Sequence, residues 1–358
     1  MPPILSTPAF VGTPPRLNST QEDAVPRPRV VIAGASGFVG QALASAFRDE
    51  SYDIDTIGRT GTATWGDQPA IDRLVDGADV LVNLAGKIVS CRYTDAARDE
   101  ILRSRVETTR SLHRAVRAAS RAPRVWFNAS TATIYRHETE HGNDERDGVL
   151  GDGFSVDVAT SWERAFFDGD LPHTRRVALR MAIVLGDGPA TRMLFALGRL
   201  GLGGPQIDSW WFPHRRYRGI GAHPTGPVWS SWHRTSGRQR FSWIHIDDVV
   251  ASVLFLRDRD DLEGPVNLSA PGVSDNRTLM REVRRVARRR VGLPAFRWML
   301  DPAMALLRNE PELVLKSRWA VPRVLTEAGF RFRHPELGEA LDAVASVHRP
   351  RARDLFSA

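Results

Sequence analysis

Residues 34–40 read Gly34-Ala-Ser36-Gly37-Phe38-Val39-Gly40. They sit between the apolar run Arg29-Val-Val-Ile-Ala33 and a stretch where Val39, Leu43, Ala46 and Phe47 recur at helical spacing. Few folds place three glycines between a strand and a helix in this way. Gly34 permits a tight turn, Gly37 lets the backbone approach a pyrophosphate, and Gly40 lets the helix pack closely on the strand. The start of the helix turns free N–H groups and a positive dipole end toward phosphates. A glycine triplet alone is equally a flexible turn, so its meaning depends on the pattern of elements around it.

That pattern alternates. Strands are expected at Tyr52–Ile57, Ala78–Leu84, Arg124–Ala129 and Arg176–Val184. A long amphipathic helix is expected from Asp95 to Ala118, with Ile101, Leu102, Val106, Leu112 and Val116 on one face. The rhythm implies a parallel sheet covered on both faces. The expected fold is α/β: a doubly wound parallel-sheet domain of the Rossmann type with a smaller, mostly helical C-terminal lobe. Residues 1–28, rich in Pro, Ser and Thr, are expected to form a disordered tail. Residues 29–185 are expected to form the dinucleotide domain. Segments 186–242 and 271–350 are assigned to a substrate lobe, with 243–270 returning to the main sheet.

The second strand ends Thr56-Ile57-Gly58-Arg59. An NAD enzyme carries Asp or Glu there, about 20 residues beyond the glycines, to bind the adenosine ribose. Gly58 removes the carboxylate, and the Arg59 guanidinium can fork onto phosphate oxygens that a carboxylate would repel. The expected cofactor is therefore NADP(H). The other reading of Arg59 is an ordinary exposed arginine.

The glycine motif, Asn83-Leu84-Ala85-Gly86, Ser104-Arg105-Val-Glu-Thr108, Gly201-Leu-Gly-Gly-Pro205 and Trp243-Ile-His-Ile-Asp-Asp248 occur in that order. Together they resemble the atypical extended short-chain dehydrogenases known as nucleoside-diphosphate-sugar epimerase-like proteins. Val321–Leu341 resembles the C-terminal domain of unknown function in that family. The resemblance runs from about Arg29 to Val347 and implies an NADP-binding Rossmann fold. It also implies that Leu84, Ala85, Gly86, Glu100, Arg105 and Val184 line the cofactor cleft. Arg105 makes physical sense there, as a second cation facing an anionic ligand. No carboxylate stands three or four residues away to pair with it, although a solvated helix face remains open to it.

Extended short-chain dehydrogenases use Tyr-x-x-x-Lys, in which the lysine lowers the tyrosine pKa. The chain has four tyrosines, and Tyr52, Tyr93, Tyr135 and Tyr217 are followed at the fourth position by Thr56, Ala97, Thr139 and Gly221. The dyad is absent. Where it would fall, the chain reads Phe154-Ser-Val-Asp157-Val-Ala-Thr-Ser-Trp162-Glu163. Ser130 and Thr131 are candidates to orient a substrate carbonyl or hydroxyl, or else to satisfy strand-end backbone. Tyr135 is a weaker candidate proton donor. Asp157 and Glu163 are the carboxylates nearest the missing dyad, and the reading preferred to a part in its chemistry is a solvated helix face.

The chain departs from the family in 207–242. Trp210, Trp211, Trp229 and Trp232 are inserted there among Arg215, Arg216, Arg218, Arg234, Arg238 and Arg240. Such a segment suits an anionic ligand, a protein partner or a self-packed loop. His214, His223 and His233 lie in it without carboxylates or cysteines at ligand spacing, so no metal site is expected. The net charge of +7 is almost all arginine, lysine occurring only as Lys87 and Lys316. The positive residues are scattered among acidic ones apart from one run, Arg281–Arg290, which reads as a solvated helix face. No nucleic-acid motif accompanies it. No apolar run has the ~20 residues needed to span a bilayer, and neither membrane nor nucleic acid is an expected partner. A single cysteine, Cys91, excludes an intrachain disulfide, and the cytoplasm is the expected compartment. The chain is expected to be an NADP(H)-dependent oxidoreductase or epimerase-like enzyme acting on a small substrate with a carbonyl or sugar-nucleotide character. The alternatives are a non-catalytic NADP(H)-binding regulator or a protein-binding scaffold.

Overall fold

Along the central strands, alternate residues enter two different cores. Val30 and Ile32 of the first strand, β1 (Arg29–Ala33), face one side with Val80 and Val82 of β4 (Val80–Asn83). Val125 and Phe127 of β5 (Val125–Thr131) and Val177 and Leu179 of β6 (Arg175–Met181) share that side. Leu43 and Phe47 of α1 (Phe38–Asp49) and Val249, Val253 and Leu256 of α6 (Ile246–Arg257) cover it. Val31, Leu81, Trp126 and Ala178 face the opposite side. Ile71 and Val75 of α2 (Gln68–Val75), Leu112 and Val116 of α3 (Asp95–Ala118) and Phe166 of α4 (Phe154–Phe167) cover them there. A strand buried on both faces must be apolar throughout, and for this reason these runs do not alternate in sequence. Each fully buried aliphatic side chain contributes about 1.5–3 kcal/mol.

The computed structural model describes residues 26–208, 215–217, 228–229, 233–306 and 315–347. Its main sheet has seven strands in the order Gly264–Leu268, β6, β5, β4, β1, β2 (Asp53–Gly58), β3 (Ala63–Thr64). Every neighbouring pair is parallel. The order reverses between β1 and β4, so a crevice opens there at the carboxyl ends of the strands. This is the doubly wound sheet read from the sequence.

The expected strand Arg176–Val184 is in fact two. After β6, the short β7 (Ile183–Leu185) leaves the main sheet and pairs in parallel with Trp243–His245. Of 243–270, only Gly264–Leu268 joins the main sheet. Leu194 and Phe195 of α5 (Pro189–Arg199) and Leu279, Met280 and Val283 of α7 (Asn276–Val286) build a separate core. Leu337, Leu341 and Val344 of the helix Leu337–Val347 complete it. That core forms the smaller, mostly helical lobe. No described helix is long and apolar enough to cross a membrane. Residues 1–25 of the expected tail lie outside the described residues, as do 209–214, 218–227 and 230–232 of the Trp/Arg insertion.

Candidate functional site

The Gly34–Gly40 turn closes at the carboxyl end of β1. The Gly34 N–H donates to the Ile57 carbonyl at 3.0 Å, and the Gly37 N–H donates to the Gly34 carbonyl at 3.1 Å. Gly34 has φ +84°, and a Cβ on it would stand 2.9 Å from the Leu84 carbonyl carbon. A Cβ on Gly40 would stand 2.8 Å from the Ala35 Cα. The loop and helix could not pack this closely around side chains. Gly37 is the N-cap of α1, no side chain caps the helix, and its first turn holds no acidic residue. Its N–H groups therefore remain available to an anion.

A cavity of about 350 Å³ lies over the crevice. Among the residues expected to hold a cofactor, Gly34, Gly37, Phe38, Val39, Gly40, Leu84 and Arg105 line it, together with Ser130 and Thr131 from the end of β5. Ser36 is exposed on the turn. Ala85 is buried behind Leu84, its N–H donating to Asn83 Oδ1 at 3.1 Å. Gly86 lies against the Arg105 guanidinium. Gly58 ends β2, and Arg59 after it is exposed with no ion pair among the described residues. Glu100 stands on the outer side of α3, ion-paired with Lys87. Val184 packs against the main core from β7.

Arg105 reaches from α3 across to α4. Its Cζ sits 5.1 Å over the Trp162 ring, and Nη1 donates to the Ile101 carbonyl at 3.0 Å. Burial lowers its pKa to about 10, partly offset by the charge of Tyr93. No carboxylate pairs with it among the described residues. A half-buried, charged guanidinium in a cleft wall is suited to an anionic ligand.

The hydroxyls expected to act on substrate have other duties. Ser130 Oγ donates to Glu163 Oε1 at 2.6 Å. Thr131 Oγ1 lies 3.0 Å from Thr133 Oγ1 and accepts from the Thr133 N–H at 3.1 Å. Tyr135 does not line the cavity. Its hydroxyl accepts from Arg180 Nη1 at 2.9 Å and lies 2.9 Å from Asn267 Oδ1 and 3.0 Å from the Asp144 carbonyl. Burial raises its pKa, against the opposing charge of Arg180. The reading of Asp157 and Glu163 as solvated is corrected: they are 1% and 8% exposed. Glu163 takes Arg180 Nε at 2.9 Å and Nη2 at 2.8 Å.

The helix after β5 carries the missing dyad's face. Phe154, Ser155, Val158, Ala159 and Trp162 of α4 line the cavity. None of the pairs at the fourth position, Phe154–Val158, Ser155–Ala159 and Val158–Trp162, is ionisable. Tyr93, from the turn before α3, also lines the cavity, its ring edge-on to Phe154 at 4.7 Å. No motif spacing links Tyr93 or Ser155 to the strand ends, so the sequence alone points to neither. Beneath the cavity, Asn83 Nδ2 donates to Asn128 Oδ1 at 2.7 Å and to Thr109 Oγ1 at 3.1 Å. Trp162 Nε1 donates to the same Thr109 oxygen at 2.9 Å. This buried polar seam joins β4, β5, α3 and α4 and fixes the cavity walls.

Of the histidines weighed as metal ligands, His214 and His223 lie outside the described residues, and His233 stacks on His137 at 3.6 Å. Among the described residues, the donor atoms of His245, Asp247 and His334 lie within 4.8 Å of one another, away from the cavity lining. There His245 Nδ1 accepts from the Asp247 N–H at 3.2 Å and so caps α6.

An uncapped glycine-turn helix over the switch point of a parallel sheet is the geometry of a nucleotide-binding domain of the Rossmann type. Residues 30–150 match the model of the NAD dependent epimerase/dehydratase family, and residues 298–344 match a domain of unknown function (DUF1731). The chain is 31% identical over 328 residues to the epimerase family protein SDR39U1 of Bos taurus, covering 88% of this chain and 99% of that one. It is 25% identical to the epimerase family protein YfhF of Bacillus subtilis, covering 87% and 96%. The crystal structure of human SDR39U1 (isoform 2) with NADPH matches with a TM-score of 0.74 at 26% identity, over 89% and 99% of the two chains. The chain belongs to this family of epimerase family proteins.

Proposed function

We propose that the chain binds NADP(H) in the crevice and uses it as an oxidoreductase or epimerase-like enzyme on a small carbonyl, alcohol or sugar-like substrate. The observation that carries this reading is the continuity of the site. One cavity runs from the glycine turn to Ser130 and Thr131 at the end of β5. The residues present fit a dinucleotide, since the α1 N-terminus is uncapped and free of acidic residues and Arg105 has no carboxylate partner among the described residues. Gly34, Ser36, Gly37 and Gly40 would hold the pyrophosphate and Arg59 the ribose phosphate of NADP(H). Phe38, Val39 and Leu84 would flank the dinucleotide and Arg105 would add positive charge. Gly58, Ala85, Gly86 and Val184 would shape the cleft around these contacts, while Glu100, expected there, faces outward and pairs with Lys87. When bound, the nicotinamide supplies or accepts a hydride. The NADPH in the human relative supports the choice of phosphate-bearing cofactor.

A non-catalytic NADP(H) regulator is the second reading, favoured by the absence of an ionisable pair on the cavity face of α4. Calorimetric titration with NADPH and NADH tests the cofactor. Tighter binding of NADPH is expected, and a preference for NADH would overturn the assignment.

A further inference from the structure

We infer that the end of the smaller lobe where α5 and α7 finish together is a docking surface for an anionic phospholipid bilayer. It lies apart from the proposed cofactor cleft, since none of its residues lines that cavity.

The two helices end side by side. A Cβ on Gly198 of α5 would stand 2.8 Å from the Val283 side chain of α7, and Arg289 Nε donates to the Arg199 carbonyl at 3.2 Å. Beyond the helices the two segments stay together. The Leu293 N–H donates to the Gly201 carbonyl at 2.9 Å, and Ala295–Phe296 pairs in parallel with Gln206–Ile207. Four aliphatic side chains on these turns are bare: Leu200 is 74% exposed, Leu202 46%, Val291 76% and Leu293 61%.

Arginine accompanies them. Arg199, Arg288, Arg289 and Arg290 are exposed on the same turns, and neither 188–207 nor 283–300 contains an acidic residue. The run Arg281–Arg290 divides by duty. Arg281 and Arg285 pair with Glu282, and Arg285 also pairs with Asp342. Arg284 and Arg289 hold the Gly203 and Arg199 carbonyls at 2.6 and 3.2 Å. The side chains of Arg199, Arg288 and Arg290 have no partner among the described residues. Arg288, just past α7, has φ +54°, a left-handed position that glycine fills at lower cost.

Charge and chemistry choose the occupant. A patch of one sign attracts an anionic partner, and bare aliphatic side chains gain from entering hydrocarbon. An anionic bilayer supplies both, with lipid phosphates at the level of the guanidinium groups and acyl chains just beneath. A nucleic acid offers phosphates but nothing for leucine and valine, because its bases are held by aromatic stacking. A second copy of this chain, meeting the patch about a two-fold axis, would set arginine against arginine. Leu200 and Val291 project from turns with three-quarters of their surface bare. A fluid surface accepts such tips without the matching pocket that a protein hot spot fills. No helix has to span the membrane for this contact.

Cosedimentation of the full chain with sucrose-loaded vesicles tests the surface, at about 0.1 M salt, where charges still act over about 10 Å. The chain should bind vesicles of phosphatidylcholine and phosphatidylglycerol in equal parts, and should not bind phosphatidylcholine alone. Arg199→Gln, Arg288→Gln and Arg290→Gln should each weaken binding about fivefold, and the triple variant about a hundredfold. Leu200→Ser combined with Val291→Ser and Leu293→Ser should weaken it at least about tenfold. These positions are exposed, so melting temperatures should match wild type. If the triple serine variant melts lower, the single changes Leu200→Ser and Val291→Ser carry the comparison. Three results would overturn the surface: no binding to the anionic vesicles, equal binding to both compositions, or full binding by the serine variants. Two rival occupants would overturn it as well. One is a dimer in sedimentation velocity that the serine variants disperse. The other is poly-glutamate bound as tightly as the vesicles, with the same loss in those variants.

Discussion

The Glu163 carboxylate grips Arg180 through both Nε and Nη2, at 2.9 and 2.8 Å, where α4 crosses the end of β6. Both side chains are about nine-tenths buried, and Ser130 and Tyr135 complete the network from β5 and the turn beyond it. Removing one member would leave the other charge buried and unpaired. Glu163→Ala should therefore destabilise the fold by about 3–5 kcal/mol. Glu163→Ala combined with Arg180→Met should cost clearly less than the two single changes added together. Urea unfolding of the three variants checks this, and strict additivity would refute a coupled pair.

Arg59 is exposed at the end of β2 with no ion pair among the described residues, which suits a ligand contact. Arg59→Ala should weaken NADPH binding by about 1.5–3 kcal/mol, the worth of a hydrogen bond to a charged group. NADH binding should scarcely change. Calorimetry with both dinucleotides separates the outcomes, and an equal loss for both would remove Arg59 from the ribose phosphate.

The ends of the inserted segment meet. The His233 N–H donates to Asp208 Oδ2 at 2.7 Å, and Gln239 Nε2 donates to the Gln206 carbonyl at 2.9 Å. Asp208 also holds the buried Arg297 at 2.9 Å, so it must stay in any deletion. Replacing residues 209–232 with a short glycine linker should leave a folded protein. Its NADPH affinity should change by less than tenfold, or ~1.4 kcal/mol. A folded deletion variant that no longer binds NADPH would place the segment in the cofactor site.

His137 gives the fold an acid limit. Its pKa is lowered to about 4, first by burial and then by His233 and Lys316. Its Nδ1 accepts the Ser317 N–H at 3.1 Å, which requires the neutral ring. The unfolded chain binds this proton near the ordinary value of about 6.5, so between there and about 4 it holds more protons than the folded one. Stability from this group is present above that window and falls as pH drops through it. Thermal melts from pH 7 to pH 4 should show a decline in Tm that His137→Gln flattens; a decline of the same size in both would assign it elsewhere.

The dinucleotide fold is legible in the bare sequence because its signals are local. A glycine turn between a strand and a helix is seven adjacent residues, Gly34 to Gly40, and strands buried on both faces are continuous apolar runs. Gly58-Arg59 can be weighed for the same reason, since its place at the end of β2 is fixed by strand length alone. The partner of each polar side chain, by contrast, is set by packing between distant segments. Glu163 reads as solvated because its helix neighbours give no hint of Arg180, which arrives from β6. Tyr135 reads as no more than a weak candidate proton donor, and the sequence gives no sign that Arg180 and Asn267 hold its hydroxyl. Tyr93 precedes a helix in a stretch with no motif, and it reaches the cavity only because α3 packs on α4. Segment 243–270 likewise reads as returning whole to the main sheet, and within it lies the strand Trp243–His245. That strand pairs instead with Ile183–Leu185, since β-pairing is chosen between segments that are far apart in the chain.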